Sequence, residues 1–172
     1  MSRLEPPVGP EDHVQGPTNA SIVLVEYGDF ECSYCGEAYP ELKAARREMG
    51  DSLCFVFRNF PLSNVHPHAE RAAEFAEASA TIGRFWEMHD ILYENQEALD
   101  DGALISYATE LGLDRDLIES ALRGNFAARV RRDFDSGVRS GVNGTPSLFI
   151  NGEPYDGPRD AGTLVAVMRQ VL

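Results

Sequence analysis

A chain of 172 residues, 43% hydrophobic and 25% charged, has the size and composition of one folded domain, which excludes a disordered or fibrous chain. Acidic residues outnumber basic ones 28 to 15 for a formal net charge of -13, which opposes nucleic acid phosphates and anionic membrane surfaces as partners. Three cysteines are too few for a disulfide scaffold, so a close pair among them needs a chemical reason.

Residues 1–21 read as an irregular lead-in. Met1 to Pro17 holds Pro6, Pro7 and Pro10 and lacks the apolar run of a secretory signal or membrane anchor; the location expected from this is the cytoplasm, with a truncated form of an exported protein as the alternative. Ile22-Val23-Leu24-Val25-Glu26-Tyr27 is a short β-branched run of the kind that makes a buried strand. From Ser33 to about Met49 the period becomes helical, with Ala38, Leu42, Ala45 and Met49 on one face. Pro40 predicts a kink.

Leu53-Cys54-Phe55-Val56-Phe57-Arg58 reads as a second strand, ended by Asn59-Phe60-Pro61, which makes a parallel strand, helix, strand unit with a right-handed crossover. From His66 to about Gly141 the pattern is helical, in segments near 67–81, 84–95, 101–111, 114–123 and 126–140, with Gly83, Gly102, Gly112 and Gly124 as breaks. Strand pattern returns at Ser147-Leu148-Phe149-Ile150. There Asn151-Gly152 predicts a tight hairpin to Glu153–Tyr155, and a last helix spans about Arg159 to Val171. The order is βαβ, a helical block, then ββα: an α/β thioredoxin fold over 22–172, with a helical insertion at about 66–141 and no repeat or linker that would mark a second domain.

The chemistry points to Cys32 and Cys35. A Cys-x-x-Cys spacing serves metal sites and redox pairs alike, and position separates them. Here the pair sits where a strand gives way to a helix, so unpaired backbone N–H groups and the macrodipole favour a thiolate at Cys32. Three residues later, Cys35 lies one turn along the same face and can bond to it. A structural metal would need four ligands, and the remaining supply is Cys54 and four scattered histidines. Redox use is therefore the expectation, with Cys32 attacking and Cys35 resolving.

The segment Val25-Glu26-Tyr27-Gly28-Asp29-Phe30-Glu31-Cys32-Ser33-Tyr34-Cys35 resembles the active-site strand and helix of the DsbA-like family of thioredoxin-fold proteins. The resemblance continues through Asp12-His13-Val14-Gln15-Gly16-Pro17, Arg58-Asn59-Phe60-Pro61-Leu62, Phe85-Trp86-Glu87-Met88-His89-Asp90 and Gly141 to Gly152. Its nearest subgroup is the bacterial DsbA-like proteins that lack a signal peptide or are fused to antiporters.

The resemblance implies a cis peptide at Thr145-Pro146 against the sulfurs, with the Thr145 backbone pairing to substrate. It also implies a buried acid at Glu26 that exchanges the proton of the second cysteine, for which an apolar strand should raise the carboxyl pKa; the alternative is a strand-edge Glu facing water. Ser33 and Tyr34 occupy the dipeptide that helps set thiolate stability. Asp29, Glu31 and Glu37 crowd negative charge near Cys32 and are expected to make it a milder thiolate than the strongest oxidants possess.

The expected function is a protein thiol-disulfide oxidoreductase acting on cysteine-containing proteins with a thiol or disulfide recycling partner. No cofactor, metal, nucleic acid or membrane is expected. Two alternatives stand beside it: a glutathione-linked thiol transferase or isomerase, and a non-enzymatic peptide-binding redox sensor. Cys54 is expected to be a reduced core residue, and His66 and His68 surface or helix-start residues. Phe85, Trp86, Met88, His89, Leu92 and Tyr93 are expected to pack the core, and Arg129, Arg131, Arg132 and Asp133 to form a solvated helix face.

Overall fold

The computed structural model describes residues 3–172; Met1 and Ser2, part of the expected lead-in, lie outside the described residues. In chain order the elements are β1 (His13–Gln15), β2 (Ile22–Gly28), α1 (Ser33–Met49), β3 (Leu53–Asn59), α2 (Ala69–Ala80), α3 (Phe85–Glu94), α4 (Asp101–Leu111), α5 (Arg115–Leu122), α6 (Ala127–Arg139), β4 (Ser147–Ile150), β5 (Glu153–Tyr155) and α7 (Ala161–Gln170). The strands form one sheet in the order β1-β3-β2-β4-β5. Only β2 and β3 run parallel, in the register Leu24 to Phe55 and Glu26 to Phe57; β4 lies antiparallel on the other side of β2, with Glu26 opposite Leu148.

Alternation along the strands sorts the core into two clusters. Ile22, Leu24, Leu53, Phe55, Phe57, Leu148 and Ile150 face α1, α7 and the inserted helices. Val25, Tyr27, Cys54, Val56 and Phe149 face the opposite way, where Leu4, Phe60 and Val142 cover them. On that second face α6 comes close to the sheet, because Gly137 leaves room: a Cβ there would fall 2.6 Å from the Phe60 ring and 3.1 Å from Tyr27.

In the fold, the structure departs from the sequence expectations in the lead-in and at two helix starts. The lead-in is not wholly irregular, since β1 pairs antiparallel with β3 and Leu4 is buried in the second cluster. Three half-buried residues with no apolar alternation carry too little pattern to show as a strand. Helix α1 carries Pro40 inside a single run from Ser33 to Met49; the proline leaves the Gly36 carbonyl, four residues back, without its usual N–H donor. Finally, α2 and α7 begin two residues later than the periodicity suggested; Asp160 caps α7 by accepting from the Thr163 N–H.

Candidate active site

Central strand β2 delivers the chain to the site and Asp29 turns it. The Asp29 carboxylate, fully buried, accepts from the Glu31 N–H at 2.8 Å and the Leu62 N–H at 2.8 Å, and its Oδ2 lies 2.7 Å from His66 Nδ1. The Asp29 carbonyl accepts the Cys32 N–H at 3.1 Å. Cys32 is then the N-cap of α1, extended at φ -72 and ψ 122, with no side-chain capping bond. A sulfur therefore stands where a hydroxyl or carboxylate usually satisfies the first-turn N–H groups.

That position sets the acidity of the two thiols apart. A hydrogen bond from the Cys35 side chain pulls Cys32 down first; burial opposes it, and the Thr145 side chain and the Cys35 and Tyr34 backbone N–H groups add to it, leaving Cys32 at about 5. Burial, the bond to Cys32 and the charge of Glu26 push Cys35 well above the ordinary thiol range. Both thiols are free, and Cys32 is only 4% exposed. Of the three acids expected to oppose the thiolate, Asp29 is turned to its own backbone partners and His66, Glu31 Oε1 accepts the His68 N–H at 3.2 Å, and Glu37 is exposed. Desolvation is the main opposition to the charge on Cys32.

Glu26 is 2% exposed, its Oε1 lacks a hydrogen-bond partner, and burial raises its pKa to about 8 against the partial opposition of Arg46. The Thr145-Pro146 peptide is cis. Cys32 Sγ lies 3.6 Å from the Thr145 carbonyl oxygen, and Thr145 Oγ1 is buried without a partner. The structure thus brings Cys32, Cys35 and Thr145 together around one sulfur, with the charge of Glu26 acting on Cys35. Ser33 and Tyr34 stand on the rim, Tyr34 62% exposed. A groove of 350 Å³ between Leu62, Val65, Val130 and Phe134 does not include either sulfur.

A thioredoxin family profile matches residues 9–169. The chain belongs to the thioredoxin family. Among solved structures, this thioredoxin-family chain is similar to BdbD from Bacillus subtilis (TM-score 0.82, 21% identity, 92% of this chain and 91% of that one). It is similar also to a thioredoxin-like oxidoreductase from Silicibacter pomeroyi (TM-score 0.81, 21% identity, 94% and 92%) and to alpha-DsbA1 from Wolbachia pipientis (TM-score 0.80, 17% identity, 95% and 92%). In sequence it is 45% identical over 168 residues to Na(+)/H(+) antiporter NhaA 3 of Salinispora tropica, covering 94% of this chain and 25% of that protein. It is 44% identical to Na(+)/H(+) antiporter NhaA of Herminiimonas arsenicoxydans, covering 96% and 26%. The chain spans about a quarter of the length of these curated relatives.

Elsewhere in this thioredoxin-family fold, Cys54 is a buried free thiol on the second face, and the aromatic run of α3 packs inward with Phe85, Met88, Leu92 and Tyr93 in the first cluster. The reading of Arg129 and Asp133 as a solvated face is corrected. Asp133 is 4% exposed, bonds to the Asn59 backbone N–H and side chain at 3.0 Å each, and pairs with Arg129, which also lies 3.5 Å from Glu77. The charges turn inward because strand end, α2 and α6 converge there.

His66, read as a surface or helix-start residue, pairs with Asp29 beside the active-site turn. Burial works against its charge, yet the Asp29 carboxylate outweighs that and raises its pKa. The Gln96 side chain also reaches this turn. Neither has a sequence signal, since each partner lies more than 30 residues away. Among the described residues, no group of three or more His, Cys, Asp or Glu side chains is placed to hold a metal ion, and no helix is long and apolar enough to cross a membrane.

Proposed function

We propose that the chain is a thiol-disulfide oxidoreductase that exchanges disulfides with cysteines of polypeptide substrates through Cys32 and Cys35. One observation carries the reading: two thiols a helical turn apart are driven in opposite directions, Cys32 to about 5 and Cys35 well above the thiol range, over a buried carboxyl at about 8. A structural pair would have no use for that split. It suits a nucleophile and a resolving thiol with a proton acceptor between solvent and core.

In the reductive direction the Cys32 thiolate attacks one sulfur of a substrate disulfide; the new S–S bond forms as the old one breaks, and the second substrate sulfur leaves as a thiolate. Cys35 then loses its proton to the carboxylate form of Glu26 and attacks Cys32 Sγ, which closes the Cys32–Cys35 bond and releases the first substrate sulfur. Substrate has gained two electrons and the pair has lost two. Run backwards, the same steps oxidise a dithiol.

A stabilised thiolate favours the reduced pair and so makes its disulfide the more oxidising. A midpoint of about 5 falls between the roughly 7 of thioredoxin and 3.5 of DsbA. The recycling partner sets the net direction: reduction or isomerisation in a reducing compartment, oxidation in an oxidising one. An extended segment pairing with the Thr145 backbone would lay its cysteine over Cys32.

Trapping with Cys35→Ser tests this. The variant is expected to accumulate mixed disulfides on Cys32 with protein thiols, while Cys32→Ala loses insulin reduction. Full turnover by Cys32→Ala, or no adduct on Cys35→Ser, would sink the proposal.

A further inference from the structure

One side chain from the inserted helical block reaches the active-site turn. Gln96, in the loop between α3 and α4, uses both protons of its amide: Nε2 donates to the Phe30 carbonyl at 2.9 Å and to the Cys32 carbonyl at 2.8 Å. These acceptors bracket the bend from strand to helix. The Cys32 carbonyl also takes the Gly36 N–H at 3.0 Å, the bond that closes the first turn of α1.

Gly36 records the same contact from the other side. A Cβ at this position would lie 2.0 Å from Gln96 Oε1 and 2.7 Å from its Cδ. Gly36 sits inside α1 and is not among the residues with positive φ, so backbone conformation does not call for glycine, and in a helix interior glycine is the weaker choice. The space over Gly36 is what the Gln96 amide occupies.

We propose that Gln96 is a positioning residue for the nucleophile: by holding the Phe30 and Cys32 carbonyls it fixes the turn that aims the Tyr34 and Cys35 N–H groups and the Cys35 thiol at Cys32 Sγ, and Gly36 is the opening that admits it. A neutral double donor suits the position. A carboxylate would face two carbonyl oxygens, and an apolar chain would leave both without this partner. Losing the amide loosens the donors around the thiolate and leaves the two carbonyl dipoles uncompensated beside it, so Cys32 becomes less acidic. For turnover this rests on the oxidoreductase reading, but the positioning itself is read from Cys32 alone.

The test follows alkylation of Cys32 by iodoacetamide against pH, resolved by mass spectrometry, in the reduced full chain. Two variants remove the contact by different routes: Gln96→Met keeps the length without the donors, and Gly36→Ala evicts the amide while favouring the helix. Each is expected to raise the Cys32 midpoint by about one pH unit, the scale of a lost hydrogen bond. The double variant should rise no further than the larger single shift, because both remove the same pair of bonds.

An unmoved midpoint in folded Gln96→Met, or shifts that add in the double variant, overturns the proposal. If Gln96→Met does not fold, an unmoved midpoint in Gly36→Ala does the same. Absence of disulfide exchange by the wild type would remove the oxidoreductase reading and leave the alkylation series to be judged separately.

Discussion

Glu26 and Glu77 are both buried acids, and the protein treats them in opposite ways. Glu77 meets His13 Nε2 at 2.9 Å through both oxygens, accepts from Asn59 Nδ2 at 2.8 Å and lies 3.5 Å from Arg129. Burial opposes its charge, but the His13 bond, Arg129 and Asn59 together hold it below its usual value. Glu26, on the central strand, has no partner for Oε1, and burial takes it to about 8. Depth is the same; partners differ. The first region holds its acid charged, while the second holds its acid protonated up to about 8.

Across the sheet from Glu26 the partnered treatment recurs. Arg58 donates to Asp12 at 2.8 and 2.9 Å, to Tyr27 Oη at 2.9 Å and to the Pro6 carbonyl at 3.0 Å. Tyr27 lies 2.8 Å from Ser136 Oγ, which donates on to the Asp133 carbonyl at 2.7 Å. Thus neighbours on one strand, Glu26 and Tyr27, point into opposite chemistries because successive side chains face opposite sides.

The comparison would break first at Arg58. Arg58→Ala leaves the half-buried Asp12 carboxylate without its guanidinium, and urea denaturation should show a loss of about 3–5 kcal/mol. The Cys32 alkylation midpoint in the surviving fold should stay where it is. A small stability loss with a moved midpoint would mean that the two regions are not separate.

Glu26→Gln comes next and separates the regions by sign. In the folded chain Glu26 keeps its proton up to about 8, while the unfolded carboxyl loses it near 4.5. Between these values the unfolded state binds fewer protons, so this group lowers stability as pH rises and the loss levels off above about 8. Relative to wild type, Glu26→Gln should therefore gain roughly 2–4 kcal/mol at pH 9 and nothing at pH 4. Cys32 titrates the other way, at about 5 folded against 9 unfolded, and adds stability over that interval; its charge also helps to raise Glu26, so the difference between the two proteins includes this coupling. Single-turnover kinetics should show slower release of trapped substrate in Glu26→Gln. A variant that gains nothing at high pH would mean that Glu26 is already ionised in the fold.

Sequence pattern carried the elements that have a period: β2, α1, β3 and the hairpin at Asn151-Gly152 were all legible, as was the thiol pair at a strand-to-helix junction. It carried less wherever the deciding partner is remote. Asp133 looked like one charge among several on α6 because Asn59, 74 residues away, is what draws it inward. β1 is short and lies at a sheet edge, so its pairing with β3 leaves no alternation to read. Gln96 and His66 have no local signature at all, and only the folded chain brings them to the turn. Glu26 lay between these cases: its strand was plain, while its lack of a partner depends on what β4 and α1 place beside it.

Thr145→Val asks the smallest question of the comparison and the most direct one. Thr145 Oγ1 is a buried hydroxyl without a partner, a state that the partnered region nearly everywhere avoids. A hydroxyl left so should destabilise the fold slightly unless it serves the thiolate, to which the Thr145 side chain contributes. Valine keeps the shape and removes the donor. The expected result is unchanged or slightly higher stability, by at most about 1 kcal/mol, together with a rise of about half a unit in the Cys32 midpoint. Stability lost without any change in that midpoint would show that the hydroxyl is structural after all, and that an unpaired polar atom at this site is no sign of chemistry.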